Sequence, residues 1–135
     1  MVSLLSFGLT SAFPEEVYSP VSVMEVVSVY DGDTFKVDIE GYPAIIGDDI
    51  SIRINGIDTP EIRGTSEEIK AKAYQARDYL EDRLKGASQI ELRNPQRGKY
   101  FRIIADVYLD GVNVAEELIS LGYAKPYDGG TRPEW

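Results

Sequence analysis

The chain contains neither cysteine nor histidine. Those two absences exclude zinc-finger sites, cysteine or histidine nucleophiles, Ser-His-Asp triads and every nuclease chemistry that depends on an imidazole. Catalysis has to be built from carboxylates, Arg, Lys, Tyr or a metal, and a metal held mainly by oxygen is a hard cation such as Ca²⁺ or Mg²⁺. No apolar run approaches the roughly 20 residues needed to span a bilayer, so no membrane association is expected. Positive charge is also scarce: 14 Lys and Arg stand against 23 Asp and Glu, a formal net charge of −9. Such a balance argues against a protein that coats nucleic acid through many phosphate contacts. It leaves room for a local ridge, because the stretch from Arg93 to Arg102 carries Arg93, Arg97, Lys99 and Arg102 and no acid.

With 135 residues the chain is long enough for one hydrophobic core and too short for two ordinary ones. Val2 to Leu9 followed by Thr10-Ser11-Ala12 looks like the apolar core and small-residue cleavage site of a secretion signal, without the usual basic start. The competing reading is an apolar arm packed on the domain. Residues 1–20 are therefore expected to be an arm or signal remnant, 21–127 the folded domain and 128–135 a tail. If the leader is real the protein is secreted or periplasmic, and otherwise cytoplasmic.

Val21 to Tyr30 and Thr34 to Ile39 are rich in β-branched and aromatic residues and flank the turn former Asp31-Gly32-Asp33, which predicts a hairpin. A third strand is expected at Ile50 to Asn55, with Ile50, Ile52 and Ile54 on one face and Arg53 on the other. Ile69, Ala73, Ala76, Leu80 and Leu84 recur at helical spacing, with Ser66 as N-cap and Gly86 as stop. Strands at Gln89 to Arg93 and Arg102 to Leu109 and a short helix near Val114 to Leu121 complete the pattern. The fold class is α+β, mainly β. Five short strands with two to three helices fit a small OB-fold barrel, although a small α+β sandwich gives the same string.

Taken singly, the polar motifs have ordinary explanations. Asp31-Gly32-Asp33 is a turn, Asp58-Thr59-Pro60-Glu61 a loop or helix start, Arg53 the wet face of a strand, and Arg102 a solvated strand end. Taken together they form an ordered set: an Asp-Gly-Asp-Thr turn, Arg53 five residues before Asp58-Thr59-Pro60-Glu61, and Lys99-Tyr100 just before Arg102.

On these residues, and on the run from Val112 to Ala124, the chain resembles staphylococcal nuclease and its bacterial relatives. The resemblance implies an OB-fold endonuclease that hydrolyses DNA and RNA, prefers accessible single strands, leaves 3′-phosphate ends and works as a monomer. It implies one Ca²⁺ held by Asp33, Asp58 and the Thr59 carbonyl, with Asp31 supporting the turn. Arg53 and Arg102 would grip the phosphate, Glu61 would act as general base, and Lys99 and Tyr100 would lie beside the nucleotide. The roles suit the residue types: Ca²⁺ prefers carboxylate and carbonyl oxygens, bidentate Arg suits phosphoryl oxygens, and a carboxylate can take a proton from water. One departure is Phe101, where the family commonly has Gly. The alternative function is an inactive module of the same fold that binds nucleic acid or a protein partner.

Overall fold

The computed structural model describes residues 18–135, so the expectation of a leader at 1–12 lies outside the described residues. β1 (Val21–Val29) turns into β2 (Thr34–Ile39) as the β-branched runs flanking Asp31-Gly32-Asp33 predict, and β3 (Ile50–Ile54) pairs antiparallel with β2. A one-turn helix, α1 (Ala44–Gly47), fills the connection between β2 and β3. β5 (Ile90–Arg97) and β6 (Arg102–Leu109) form a second hairpin. β5 pairs with β1 through Val21 opposite Leu92, and β6 pairs parallel with β3 through Arg53 opposite Ile104. The circuit β1-β2-β3-β6-β5 closes on itself, which makes a five-stranded mixed barrel of the OB type and removes the sandwich alternative.

The barrel interior is the isoleucine row of β3 together with Phe35, Val37, Leu92, Val107 and Leu109, all buried. Arg53 therefore points away from that row, as the strand period requires. α2 (Glu67–Gly86) follows the helical spacing: the Ser66 hydroxyl accepts from the Ile69 amide, Glu67 and Glu68 occupy the positive end, and Arg83 and Lys85 the negative end. Its buried face is Ala73, Ala76, Leu80 and Leu84.

Small residues on that face let the Asp31-Gly32-Asp33 turn approach closely. A Cβ on Gly32 would come within 2.8 Å of both Ala76 Cβ and Thr59 Cγ2, so glycine is required here for space. The turn, the helix and Thr59 are thereby locked to one another.

Three sequence expectations need correction. Asp58 does not start a helix; it sits in β4 (Ile57–Asp58), which pairs with β8 (Lys125–Pro126), placing Asp58 opposite Lys125. β5 runs past Arg93 to Arg97, with a register break between Arg93 and Gln96 where Asn94 adopts φ 50°. Arg93 is not part of a free basic ridge: it bonds Glu91 at 2.5 Å and stacks 3.7 Å over the Tyr108 ring. The remaining strand is β7 (Val112–Asn113), whose Asn113 side chain accepts from the Ala115 amide and caps α3 (Val114–Ser120).

α3 is tied to α2 by a half-buried cluster. Arg83 reaches both oxygens of Glu117 at 2.6 and 3.1 Å, the Tyr79 hydroxyl donates to the same carboxylate, and Tyr79 stacks on Tyr123 at 4.9 Å. The Arg83 hydrogen bonds are the main cause holding the Glu117 carboxyl below its ordinary value of 4.5. A carboxylate with a lowered folded pKa adds stability that is complete above the unfolded pKa and disappears as pH falls through the folded one. Glu117→Gln is therefore expected to cost about 1 kcal/mol at pH 7. The deficit should shrink in urea melts performed well below pH 4.5. An equal deficit at both pH values would mean that the charge contributes nothing.

Candidate active site

Five of the sequence-predicted residues converge on one cavity, which Asp58, Thr59, Lys99 and Tyr100 do not line. Asp31, Asp33, Arg53, Glu61 and Arg102 line a single open cavity of about 360 Å³, joined by Tyr30, Tyr127 and Arg132. A neighbouring depression is lined by Arg53, Arg102, Lys99 and Tyr127. Arg53 and Arg102 come together because β3 and β6 are parallel neighbours, with Ser51 opposite Arg102 and Arg53 two residues further on. Alternation then sends both side chains to the same face.

Asp33 is the hub of the site. Its Oδ2 accepts from the Thr59 amide and hydroxyl, each at 3.1 Å, and pairs with Arg53 Nη1 at 3.0 Å, while Oδ1 accepts from Thr34 Oγ1 at 2.9 Å. Arg53 is held further by Nη2 donating to the Ile57 carbonyl at 3.0 Å. Asp31 accepts from the Asp33 amide at 3.0 Å and so shapes the turn. Its carboxyl is pushed up to about 8, first by burial and then by the neighbouring Asp33 charge. Thr59 is buried beside this hub, as the turn-to-β4 packing dictates.

Asp58 is fully buried and its oxygens meet residues to which the sequence reading gave no role. Arg132 donates to Oδ1 through Nε at 3.0 Å and Nη2 at 2.6 Å, and Trp135 Nε1 donates to Oδ2 at 3.0 Å. Arg132 Nη1 also pairs with Glu61. The segment 128–135, expected to be a tail, is therefore a wall of the site. Little in the sequence could have revealed this beyond an Arg and the single Trp following an Asp-Gly-Gly turn.

Arg102 contrasts with Arg53. Its Nε is buried and has no hydrogen-bond partner, the only such side-chain atom among the described residues. A buried donor of a charged group left unpaired is costly.

Among the described residues no three acidic side chains converge into a ready-made metal cage. The two predicted ligands nevertheless retain capacity. A carboxylate offers about four lone-pair positions. Arg132 and Trp135 use three on Asp58, leaving one on Oδ2, and Thr34 uses one of the two on Asp33 Oδ1. One acceptor position remains on each buried Asp, the oxygen donor type that a hard cation takes, although Asp58 lines neither cavity.

The two nucleotide-side candidates separate. Lys99 lines the depression beside both arginines, whereas Tyr100 is 89% exposed at the tip of the β5–β6 hairpin and lines neither cavity. Tyr100 and Phe101 both adopt left-handed backbone, at φ 59° and 55°. The structural requirement at position 101 is thus one that glycine meets without steric cost. Phe101 does not withdraw Arg102, which lines both cavities. Since Phe101 is 69% exposed, Phe101→Gly forfeits little burial. It is expected to raise stability by up to about 1 kcal/mol, read as a higher urea midpoint; a lower midpoint would show that the phenyl ring packs usefully.

Comparison with known proteins agrees with this geometry. The profile of a family described as "Staphylococcal nuclease homologue" matches residues 51–133, a span that includes Arg53, Asp58, Glu61, Arg102 and Arg132. The chain belongs to the staphylococcal nuclease homologue family. It is also 31% identical to the "Uncharacterized protein MJ1439" of Methanocaldococcus jannaschii, over 76% of this chain and 58% of that relative. The chain thus spans somewhat more than half the length of the curated relative it matches. A nuclease-family OB barrel accounts for both the closed sheet and the arginine-carboxylate cavity on its wall.

Proposed function

We propose that the chain is a Ca²⁺-dependent phosphodiesterase that cleaves single-stranded DNA and RNA and leaves 3′-phosphate ends. The observation that carries this reading is the paired Arg53 and Arg102 facing one cavity with Glu61. In this reading Asp33, Asp58 and the Thr59 carbonyl would hold the cation, and a bound Ca²⁺ would supply positive charge beside the phosphodiester.

The remaining work falls to the chain's own side chains. Arg102, which lines the cavity, presents its guanidinium to a phosphoryl oxygen, and Arg53, fixed by Asp33 and the Ile57 carbonyl, lies beside it. Both stabilise the charge that gathers on the equatorial oxygens during attack. Glu61 is 48% exposed at the cavity rim, where it can reach a solvent water and accept its proton as the oxygen attacks phosphorus. The P–O5′ bond breaks, the 5′ oxygen is protonated by solvent, and the phosphate stays on the 3′ side. Lys99, which lines the neighbouring depression, would meet a further phosphate of the strand.

The test is incubation of the purified chain with Ca²⁺ and 5′-labelled single-stranded DNA and RNA, followed by analysis of the new ends. The expected fragments carry 5′ hydroxyls that a kinase labels directly and 3′ ends that resist a 3′ exonuclease until a phosphatase removes the terminal phosphate. Retention of both polymers intact by folded protein would favour a binding module instead.

A further inference from the structure

We infer that Arg132 is a positioning residue whose guanidinium clamps Asp58 and Glu61 together, so that the segment 128–135 is an integral part of the reaction site. This rests on the phosphodiesterase reading above. Arg132 bridges two carboxylates with different assigned tasks, one buried in β4 and one exposed at the cavity rim. A single planar fork fixes their separation in a way that a flexible ammonium group does not.

Several features make the segment a built wall. It is anchored by the Tyr127 amide on the Gly56 carbonyl, the Tyr127 hydroxyl on the Gly130 carbonyl, and the Gly130 amide on Asp128. Lys125, opposite Asp58 in the β4–β8 ladder, donates to the Glu134 carbonyl and lies 4.4 Å from the centroid of the Trp135 ring. Trp135 in turn holds Asp58 Oδ2. A carboxylate as buried as Asp58 needs a resident partner, because an unpaired buried charge costs several kcal/mol.

Arg132 also leaves the site open. It lines the 360 Å³ cavity without filling it, and Asp58 keeps an acceptor position with Arg132 in place.

The experiment compares the wild type, Arg132→Lys and Trp135→Phe for kcat and KM on single-stranded DNA at saturating Ca²⁺. Circular dichroism melts accompany the kinetics of all three proteins, and Ca²⁺ titrations followed by the emission of Trp135, the only tryptophan in the chain, those of the wild type and Arg132→Lys. Arg132→Lys keeps the charge and loses the fork. It is expected to lower kcat about tenfold or more, with KM and the Ca²⁺ midpoint within about threefold of wild type and the melt little changed. Trp135→Phe loses one of the three bonds to Asp58 and is expected to lower kcat by a smaller factor, about threefold. Wild-type kcat in both variants would overturn the inference while leaving the phosphodiesterase reading intact. Increased activity or tighter Ca²⁺ binding in Arg132→Lys would also overturn it, by making Arg132 a competitor. A folded wild type that cleaves nothing would overturn both readings together.

Discussion

Asp33→Ala is expected to lose about 3–5 kcal/mol of folding stability, in addition to any activity, because it breaks a buried ion pair by removing one partner. Arg53 and Asp33 are both largely shielded from solvent, at 15% and 7% side-chain exposure, and meet at 3.0 Å. Without the carboxylate, the Arg53 guanidinium keeps only its carbonyl contacts, and the Thr59 amide and hydroxyl lose their acceptor. An orphaned buried amide alone costs about 1–3 kcal/mol. Urea denaturation should show a much lower midpoint for Asp33→Ala and a smaller drop for Asp33→Asn, which keeps one oxygen and the side-chain shape. A wild-type midpoint for Asp33→Ala would mean that the hub is not made in solution. The consequence is practical: loss of activity in Asp33→Ala cannot be assigned to a missing metal ligand unless folding is measured alongside it.

Arg102→Ala is the opposite case, large in chemistry and small in stability. Removing one charge-stabilising group from a phosphoryl site is expected to lower kcat/KM on the order of 10²-fold. Arg102 has a buried Nε without a partner, so truncating it removes an unsatisfied donor and leaves no known partner stranded. The urea midpoint should therefore stay near wild type, within about 1 kcal/mol. Arg53→Ala cannot separate the two effects in this way, since it strands Asp33. Full activity in Arg102→Ala would remove the second arm of the phosphate clamp.

What could be read from the sequence divides along the range of the interactions. The isoleucine row of β3, the α2 face and the Ser66 cap follow from local periodicity and hydrogen-bonding rules, and they stand where the residues placed them. The family motif supplies the expected partners Arg53 and Arg102, which the β3–β6 parallel pairing brings to one face, and Asp33 and Glu61, which line the same cavity. Barrel closure could not be read from periodicity, because strand order depends on contacts between distant segments. The two-residue strands β4 and β8 were missed for the same reason, having no pattern of their own. With β8 missed, Lys125 and the residues after it had nothing to place them, and Arg132 and Trp135 passed for a tail. The free basic ridge failed differently: Arg93 was counted by charge, whereas Glu91 lies on the same strand face two residues away. Charge counting along a segment ignores such cross-compensation.

The role of Asp31 also gains a physical cause. The close approach permitted by Gly32 buries the turn against α2 and Thr59, and the same burial raises the Asp31 carboxyl toward neutrality beside Asp33. The turn therefore holds Asp33 with an amide-accepting carboxyl and adds little like charge next to it at neutral pH.

The most direct test of the central claim is the rate of single-stranded DNA cleavage by the wild-type chain as a function of free Ca²⁺, set with a calcium-selective chelator. Cleavage that rises with free Ca²⁺ to a plateau, vanishes on chelation and returns on adding the ion back is the predicted result. A rate independent of free Ca²⁺, or no cleavage at any concentration by protein shown to be folded, would contradict it.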